Sequence, residues 1–238
     1  MVERRTVAAV ALVVLVAQRA TAQDFHIGRP PPSILAGAAL EWAPNAGGLK
    51  EYVGPGWGAD AHIAIGLTTN MLLAIRGEFG VTEYPARTVV RSVPQPGGSP
   101  VRVATRTDNS VTSGTVGLQI TAPSGRVRPF AFATVGFAFL DTKSLLTNAD
   151  SASPLAQREF RDGGFGAEAG GGIMIRLGSV NTPVLLDLSW VSTSADNVNL
   201  YTEKSITFVG SGFAPSISPV QGSWKAATYR LGVTFEFR

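Results

Sequence analysis

Cysteine is absent from all 238 residues, so disulfides and thiolate metal sites are excluded. Histidine occurs only as His26 and His62, which leaves imidazole chemistry few places to start. Charged residues make up 16% of the chain, against about a quarter in an ordinary water-soluble domain. Four of the 20 basic residues are lysines. No phosphate-cradling glycine loop, zinc spacing or calcium-loop spacing appears. Residues 6–17 form an uncharged, almost wholly apolar run. It is too short for a spanning helix, which needs roughly 20 apolar residues.

That run has another reading. Glu3, Arg4 and Arg5 precede it, and Ala20-Thr21-Ala22 follows with small residues where a signal peptidase reads. Residues 1–22 are therefore expected to be a cleaved secretory signal peptide, and 23–32 a periplasmic lead containing Pro30-Pro31-Pro32. Its removal takes away Glu3, Arg4, Arg5 and Arg19, so a net charge of +3 falls to near zero. The basic balance then gives no support to a nucleic-acid partner. An exported chain without disulfides needs another source of stability, and a closed ladder of backbone hydrogen bonds supplies one.

From Ser33 onward, segments of about ten residues alternate apolar with small or polar residues and then break. In 164–177 (GFGAEAGGGIMIRL), Phe165, Ala167, Ala169, Gly171, Ile173, Ile175 and Leu177 share one face, while Glu168 and Arg176 lie on the other. That is the two-residue period of a strand with one greasy face. Strands are predicted near 33–42, 57–67, 71–84, 110–122, 128–140, 163–177, 184–194 and 224–237. Short turns (68–70, 123–127, 178–183) alternate with long connections (43–56, 85–109, 141–162, 195–223). This rhythm predicts an all-β, eight-stranded antiparallel up-and-down transmembrane β-barrel over 33–238, with short turns and both termini periplasmic.

Phase sorts the faces. Leu40, Ile65, Phe79, Leu118, Leu188 and Phe235 share the aliphatic side. Glu41, Asp60, His62, Arg76, Glu78, Gln119, Glu168, Arg176, Asp187, Arg230 and Glu236 fall on the opposite side and are the candidate lumen network. The fifth strand breaks the pattern: Phe130 and Phe132 have one phase, Phe137 and Phe139 the other. Either a bulge near Ala133-Thr134 shifts the register, or an aromatic pair points inward. Trp42, Trp57, Tyr84, Trp190 and Trp224 lie near the loop ends of their strands, where an aromatic girdle is expected. In loop 85–109, Arg87, Arg91, Arg102 and Arg106 are candidate contacts for glycolipid phosphate. The competing reading there is a solvated hairpin in which Val89-Val90 and Val101-Val103 flank PQPGGSP.

The stretches RPFAFATVGFAFLD and GFGAEAGGGIMIRLGS, followed by VLLDLSW with its inward charge, resemble the OmpA/OmpX-type family of small outer-membrane barrels. The Gly170-Gly171-Gly172 centre and the final strand YRLGVTFEFR carry the resemblance further. It implies localisation in the cell outer membrane, contact with outer-membrane lipid, and reading of the last strand by the barrel-assembly machinery, with Phe237 as its terminal aromatic. No peptidoglycan-binding domain is expected after that strand.

Chemistry is sparse. His26 lies in the lead, and His62 shares a strand face with Asp60, a pairing used in hydrolases but also ordinary in a charged lumen. No enzymatic activity and no cofactor are expected. An eight-strand interior is just wide enough for side chains to fill, whereas open porins need 16–18 strands. Function is therefore expected in the four long extracellular loops, as a structural or surface-interaction role on a monomer with an ion-paired lumen. The alternative is a narrow porin-like barrel passing small or apolar molecules.

Overall fold

The computed structural model describes residues 33–45, 54–68, 70–93, 99–177, 184–200, 206–208, 215–218 and 220–237. The signal peptide 1–22, the lead 23–32 and His26 lie outside the described residues. Barrel strands β1 (Ile34–Asn45), β2 (Gly56–Gly66), β3 (Leu73–Val93), β4 (Val101–Thr121), β5 (Val127–Asn148), β6 (Pro154–Arg176) and β7 (Val184–Leu200) follow in order. A small hairpin, β8 (Ile206–Phe208) and β9 (Pro215–Ile217), precedes the last strand, β10 (Val220–Phe237). Each barrel strand pairs antiparallel with its sequence neighbour, and β10 pairs with β1 to close the ring. The eight-stranded barrel is thus the fold, with β8–β9 standing apart as a two-stranded sheet.

Burial alternates along the strands in the sense opposite to that of a water-soluble barrel. Leu40 is 67% exposed, and Val116, Leu118, Ile120 and Leu231 are also open on the outer wall. Glu41, Asp60, Glu78, Glu168, Asp187 and Glu236 are buried within. Small residues on the inner wall leave room for these contents. A Cβ on Gly170 would stand 2.8 Å from the Phe132 ring, and one on Gly117 would overlap the Ala133 carbonyl oxygen.

The fifth strand has no bulge at Ala133-Thr134: its pairing to β4 and to β6 runs unbroken there. Phe130 and Phe132 point inward and stack with centroids 6.3 Å apart, while Phe137 and Phe139 face outward. The inward aromatic pair is the alternative that holds.

The long connections 85–109 and 141–162 are corrected to mostly strand. β3 and β4 run on as a hairpin to Val93 and Val101, and β5 and β6 to Asn148 and Pro154. A membrane crossing uses about 9–11 strand residues. Some ten residues per strand therefore stand beyond it, roughly 30 Å of ladder. These arms carry Thr, Ser, Arg and Asp on both faces, so the apolar alternation that marks the crossing segments is missing from them.

The aromatic girdle also needs correction. Trp57, Trp42, Tyr229 and Trp190 occupy successive cross-strand positions on β2, β1, β10 and β7, all on the outer face. Trp42 stacks on Tyr229 at 5.7 Å. Tyr84 and Trp224 instead turn inward, each 3% exposed, into an apolar cluster with Leu140 and Val198. Nearness to a loop does not set direction; phase does. Tyr84 shares the phase of Arg76 and Glu78, and Trp224 that of Arg230.

Two outcomes follow from this wall. In single-tryptophan variants reconstituted with brominated lipid, Trp42, Trp57 and Trp190 should be quenched and Trp224 spared. Gly117→Ala should lower stability in urea unfolding by about 1–3 kcal/mol through overpacking. Gly114→Ala, where an added Cβ meets nothing within 4 Å, should leave the midpoint unchanged.

Candidate functional site

The lumen is organised around Arg230. It is the direct cross-strand partner of Glu41 at the seam between β10 and β1. Its Nε lies 2.7 Å from Glu41 Oε1, and its Nη1 donates to Glu78 Oε1 at 2.7 Å. Asp60 and Glu168 stand at 3.7 and 3.9 Å. One guanidinium on the last strand thus draws together carboxylates from β1, β2, β3 and β6. Its planar fork suits it to this more than a lysine ammonium would.

A second arginine extends the network. Arg76 donates to Glu78 Oε1 at 2.8 Å and to Gln119 Oε1 at 2.6 Å, and Gln119 passes a hydrogen bond on to Thr121. The Arg76 guanidinium carbon lies 4.4 Å from the Phe132 ring centroid and 5.8 Å from that of Phe130. The inward aromatic pair is therefore a cation–π seat as well as filling. Thr82 donates to Glu41 Oε2 at 2.9 Å.

Arg128 is a lumen residue that sequence reasoning missed. It is fully buried, holds Glu236 at 3.1 Å and donates from Nε to the Ala122 carbonyl at 2.9 Å. Its signal was its phase, shared with Phe130 and Phe132, and the mixed aromatic phases of that strand obscured it. Arg176 sits lower and is partly exposed, 3.9 Å from Glu236. It does not touch Glu168, Glu78 or Arg230 in any ion pair among the described residues. Asp187 is buried opposite Gly232 and Met174.

His62 sits with its Nδ1 3.6 Å from Asp60 Oδ2 and its Nε2 3.1 Å from Thr234 Oγ1. The order carboxylate, imidazole, hydroxyl is that of a hydrolytic relay. The first separation is too long for a hydrogen bond, and all three side chains are buried. Above and below the charges lie apolar clusters. Leu35, Met71, Met174 and Leu185 pack at the turn end, and Tyr84, Leu140, Val198 and Trp224 at the loop end. The ionic layer is enclosed between them.

The four arginines of the β3–β4 arm do not form one cluster. A bulge between Tyr84 and Arg87, at Pro85, shifts the phase of β3. Proline suits such a break because it has no N–H to give the ladder. Arg87 and Arg91 pair opposite Thr107 and Val103, whereas Arg102 and Arg106 take the other face. Arg102 meets Asp150 at 3.2 Å and Arg106 meets Asp108 at 3.5 Å. On the β5–β6 arm, Arg161 binds both oxygens of Asp141 at 2.6 and 3.0 Å. The outer faces of the arms are therefore internally neutralised.

No protein-family model matches the chain, and no curated protein matches its sequence. Among solved structures it is similar to Ail, the attachment invasion locus protein of Yersinia pestis, at 10% identity and a TM-score of 0.45. That alignment covers 87% of this chain and 100% of Ail. It is also similar to a major outer membrane protein of Thermus thermophilus, with 13% identity, a TM-score of 0.45, and 85% and 99% coverage. OprG of Pseudomonas aeruginosa is similar at 10% identity and a TM-score of 0.38, over 88% of this chain and 97% of OprG. These neighbours are small outer-membrane barrels. The fold assignment itself rests on the strand order and pairing described above.

The hub predicts a stability hierarchy. Arg230→Met leaves Glu41 and Glu78 buried without their main counter-charge, which costs roughly 3–5 kcal/mol. Arg102→Leu removes an exposed pair worth roughly 0–1 kcal/mol. Arg176→Leu should fall between them. Urea unfolding in detergent, with refolding yield scored alongside, gives the order; similar small losses for all three would mean a water-filled lumen.

Proposed function

We propose that this chain is a bacterial outer-membrane β-barrel protein that acts at the cell surface through its protruding hairpin arms and loops. The observation that carries the reading is the inverted wall: aliphatic and aromatic side chains outside, paired charges inside. Such a wall is stable when hydrocarbon replaces water around it. Export through the signal peptide 1–22, and insertion by the assembly machinery reading residues 229–237, complete the proposal. The protein works as a monomer, because ring closure leaves the crossing segments no strand edge to share.

The lumen serves as a plug. A conducting path would have to displace the Arg230 hub and open both apolar clusters that enclose it. The same enclosure argues against catalysis at Asp60, His62 and Thr234, since a substrate has no approach to them. Function then lies on the extended β3–β4 and β5–β6 arms, the longest hairpins outside the membrane among the described residues. Displayed loops and edges on a rigid barrel are a common arrangement for binding.

Three measurements test this. In planar bilayers the purified protein should give no discrete single-channel openings; regular steps would favour transport instead. Envelope-derived protein should begin at Gln23 by mass spectrometry. An epitope inserted between Val93 and Val101 should be reached by antibody on intact cells.

A further inference from the structure

The charge balance of the lumen reverses at its turn end. In the middle layer carboxylates outnumber arginines, and Arg230 gathers four of them. At the β5–β6 end Arg126, Arg128 and Arg176 come together. Among the described residues, Glu236 is the one carboxylate that pairs with any of the three. Its Oε2 lies 3.1 Å from Arg128 Nη1 and 3.9 Å from Arg176 Nη2. The shorter contact is a hydrogen bond and the longer is not.

Arg126 and Arg176 are held face to face by the backbone. Val127 pairs opposite Ile175, which sets Arg126 opposite Arg176 at the next position, and the Arg176 N–H donates to the Arg126 carbonyl at 2.8 Å. Like charges directly opposed on a sheet repel. An anion bridging the two guanidinium groups converts that repulsion into charge-assisted hydrogen bonds. Both side chains are within reach of one: Arg126 is exposed and the Arg176 side chain is 21% exposed. Arg176 Nε is buried without a hydrogen-bond partner, so its donors are not spent within the barrel.

The surroundings say which anion. On the outer face of the same strand ends, Val127, Ile173 and Leu177 are exposed apolar side chains. The cationic pair therefore stands where the hydrocarbon-facing wall ends. A free phosphate would use the arginines alone, whereas a phospholipid uses the arginines and the wall beside them. We propose that Arg126 and Arg176 bind the phosphodiester of an anionic phospholipid in the periplasmic leaflet, with its acyl chains against Val127, Ile173 and Leu177. A zwitterionic headgroup brings its own cation and competes poorly. The proposal rests on the reading that the barrel spans the outer membrane with its short turns periplasmic.

The test titrates the mature chain in detergent with phosphatidylglycerol and with chain-matched phosphatidylcholine, counting bound lipid by native mass spectrometry. Each basic residue beside an anionic headgroup is worth roughly fivefold in affinity. Arg126→Gln leaves both Glu236 pairs in place and should lower the preference for phosphatidylglycerol about fivefold. Arg126→Gln/Arg176→Gln should abolish it, and Arg158→Gln on the β5–β6 arm should leave it unchanged. Phosphatidylglycerol spin-labelled high on its chain should broaden the methyl signals of Val127 and Leu177. Equal affinity for the two lipids, or an unchanged preference in Arg126→Gln, overturns the proposal. So does displacement of the lipid by inorganic phosphate at equal concentration, which would make the ligand a free ion. A strong gain in affinity on Asp24→Asn overturns it as well, because that acid of the lead would then be the resident partner. No lipid preference, together with the Val93–Val101 epitope reached on intact cells, overturns this site alone. An epitope that is not reached overturns the orientation on which the site rests.

Discussion

Everything in this molecule depends on the seam where the last strand meets the first. Hydrocarbon offers no hydrogen bonds, so each backbone amide and carbonyl in the crossing segments must find its partner within the sheet. Pairing of β10 with β1, from Ile34 opposite Phe237 up to Trp42 opposite Tyr229, removes the remaining edges. The Glu41–Arg230 pair lies on that seam, so ring closure and charge neutralisation occur at one place.

Closure in turn dictates the interior. An eight-strand ring encloses only enough space for side chains, and this chain fills it in layers. Apolar side chains occupy each end, the Arg76 and Arg230 network occupies the middle, and the Arg128–Glu236 pair sits at the turn end. Glycine on one strand makes room for a ring from the next, as Gly170 does for Phe132 and Gly37 for His62. Among the described residues six buried carboxylates face Arg76, Arg128 and Arg230, with Arg176 only partly enclosed. Sharing of the Arg230 guanidinium among Glu41, Asp60, Glu78 and Glu168 is what makes that ratio tolerable.

Strand number and the direction of most side chains were legible from the sequence because the bilayer imposes a strict two-residue period. Glu41, Asp60, Arg76, Glu78, Glu168 and Arg230 are buried where their phase put them. What escaped had physical reasons. Arg128 was hidden by the opposed phases of Phe130 and Phe137, which needed no bulge because one pair points in and the other out. Tyr84 and Trp224 share the lumen phase, and position along the strand alone does not reveal it. Above the membrane the buried face of the arms is lined largely by small polar residues such as Thr105, Thr107, Thr142 and Ser144, so hydropathic periodicity fades and strand looks like loop. The bulge at Pro85 then divided four arginines between two faces, which composition alone does not reveal.

The Arg230 hub also bears on the order of assembly. Arg230 and Glu78 are 152 residues apart in the chain, and contacts of such long sequence separation form slowly. Glu41, Asp60 and Glu78 are all made before the cation that gathers them. Until β10 arrives, those acids are best accommodated by solvent, so the nascent interior stays wet. Arrival of the final strand delivers the counter-charge and shuts the sheet together. Dehydration of the lumen is thereby the closing event of biogenesis, and an unfinished barrel keeps a hydrated, negatively charged interior.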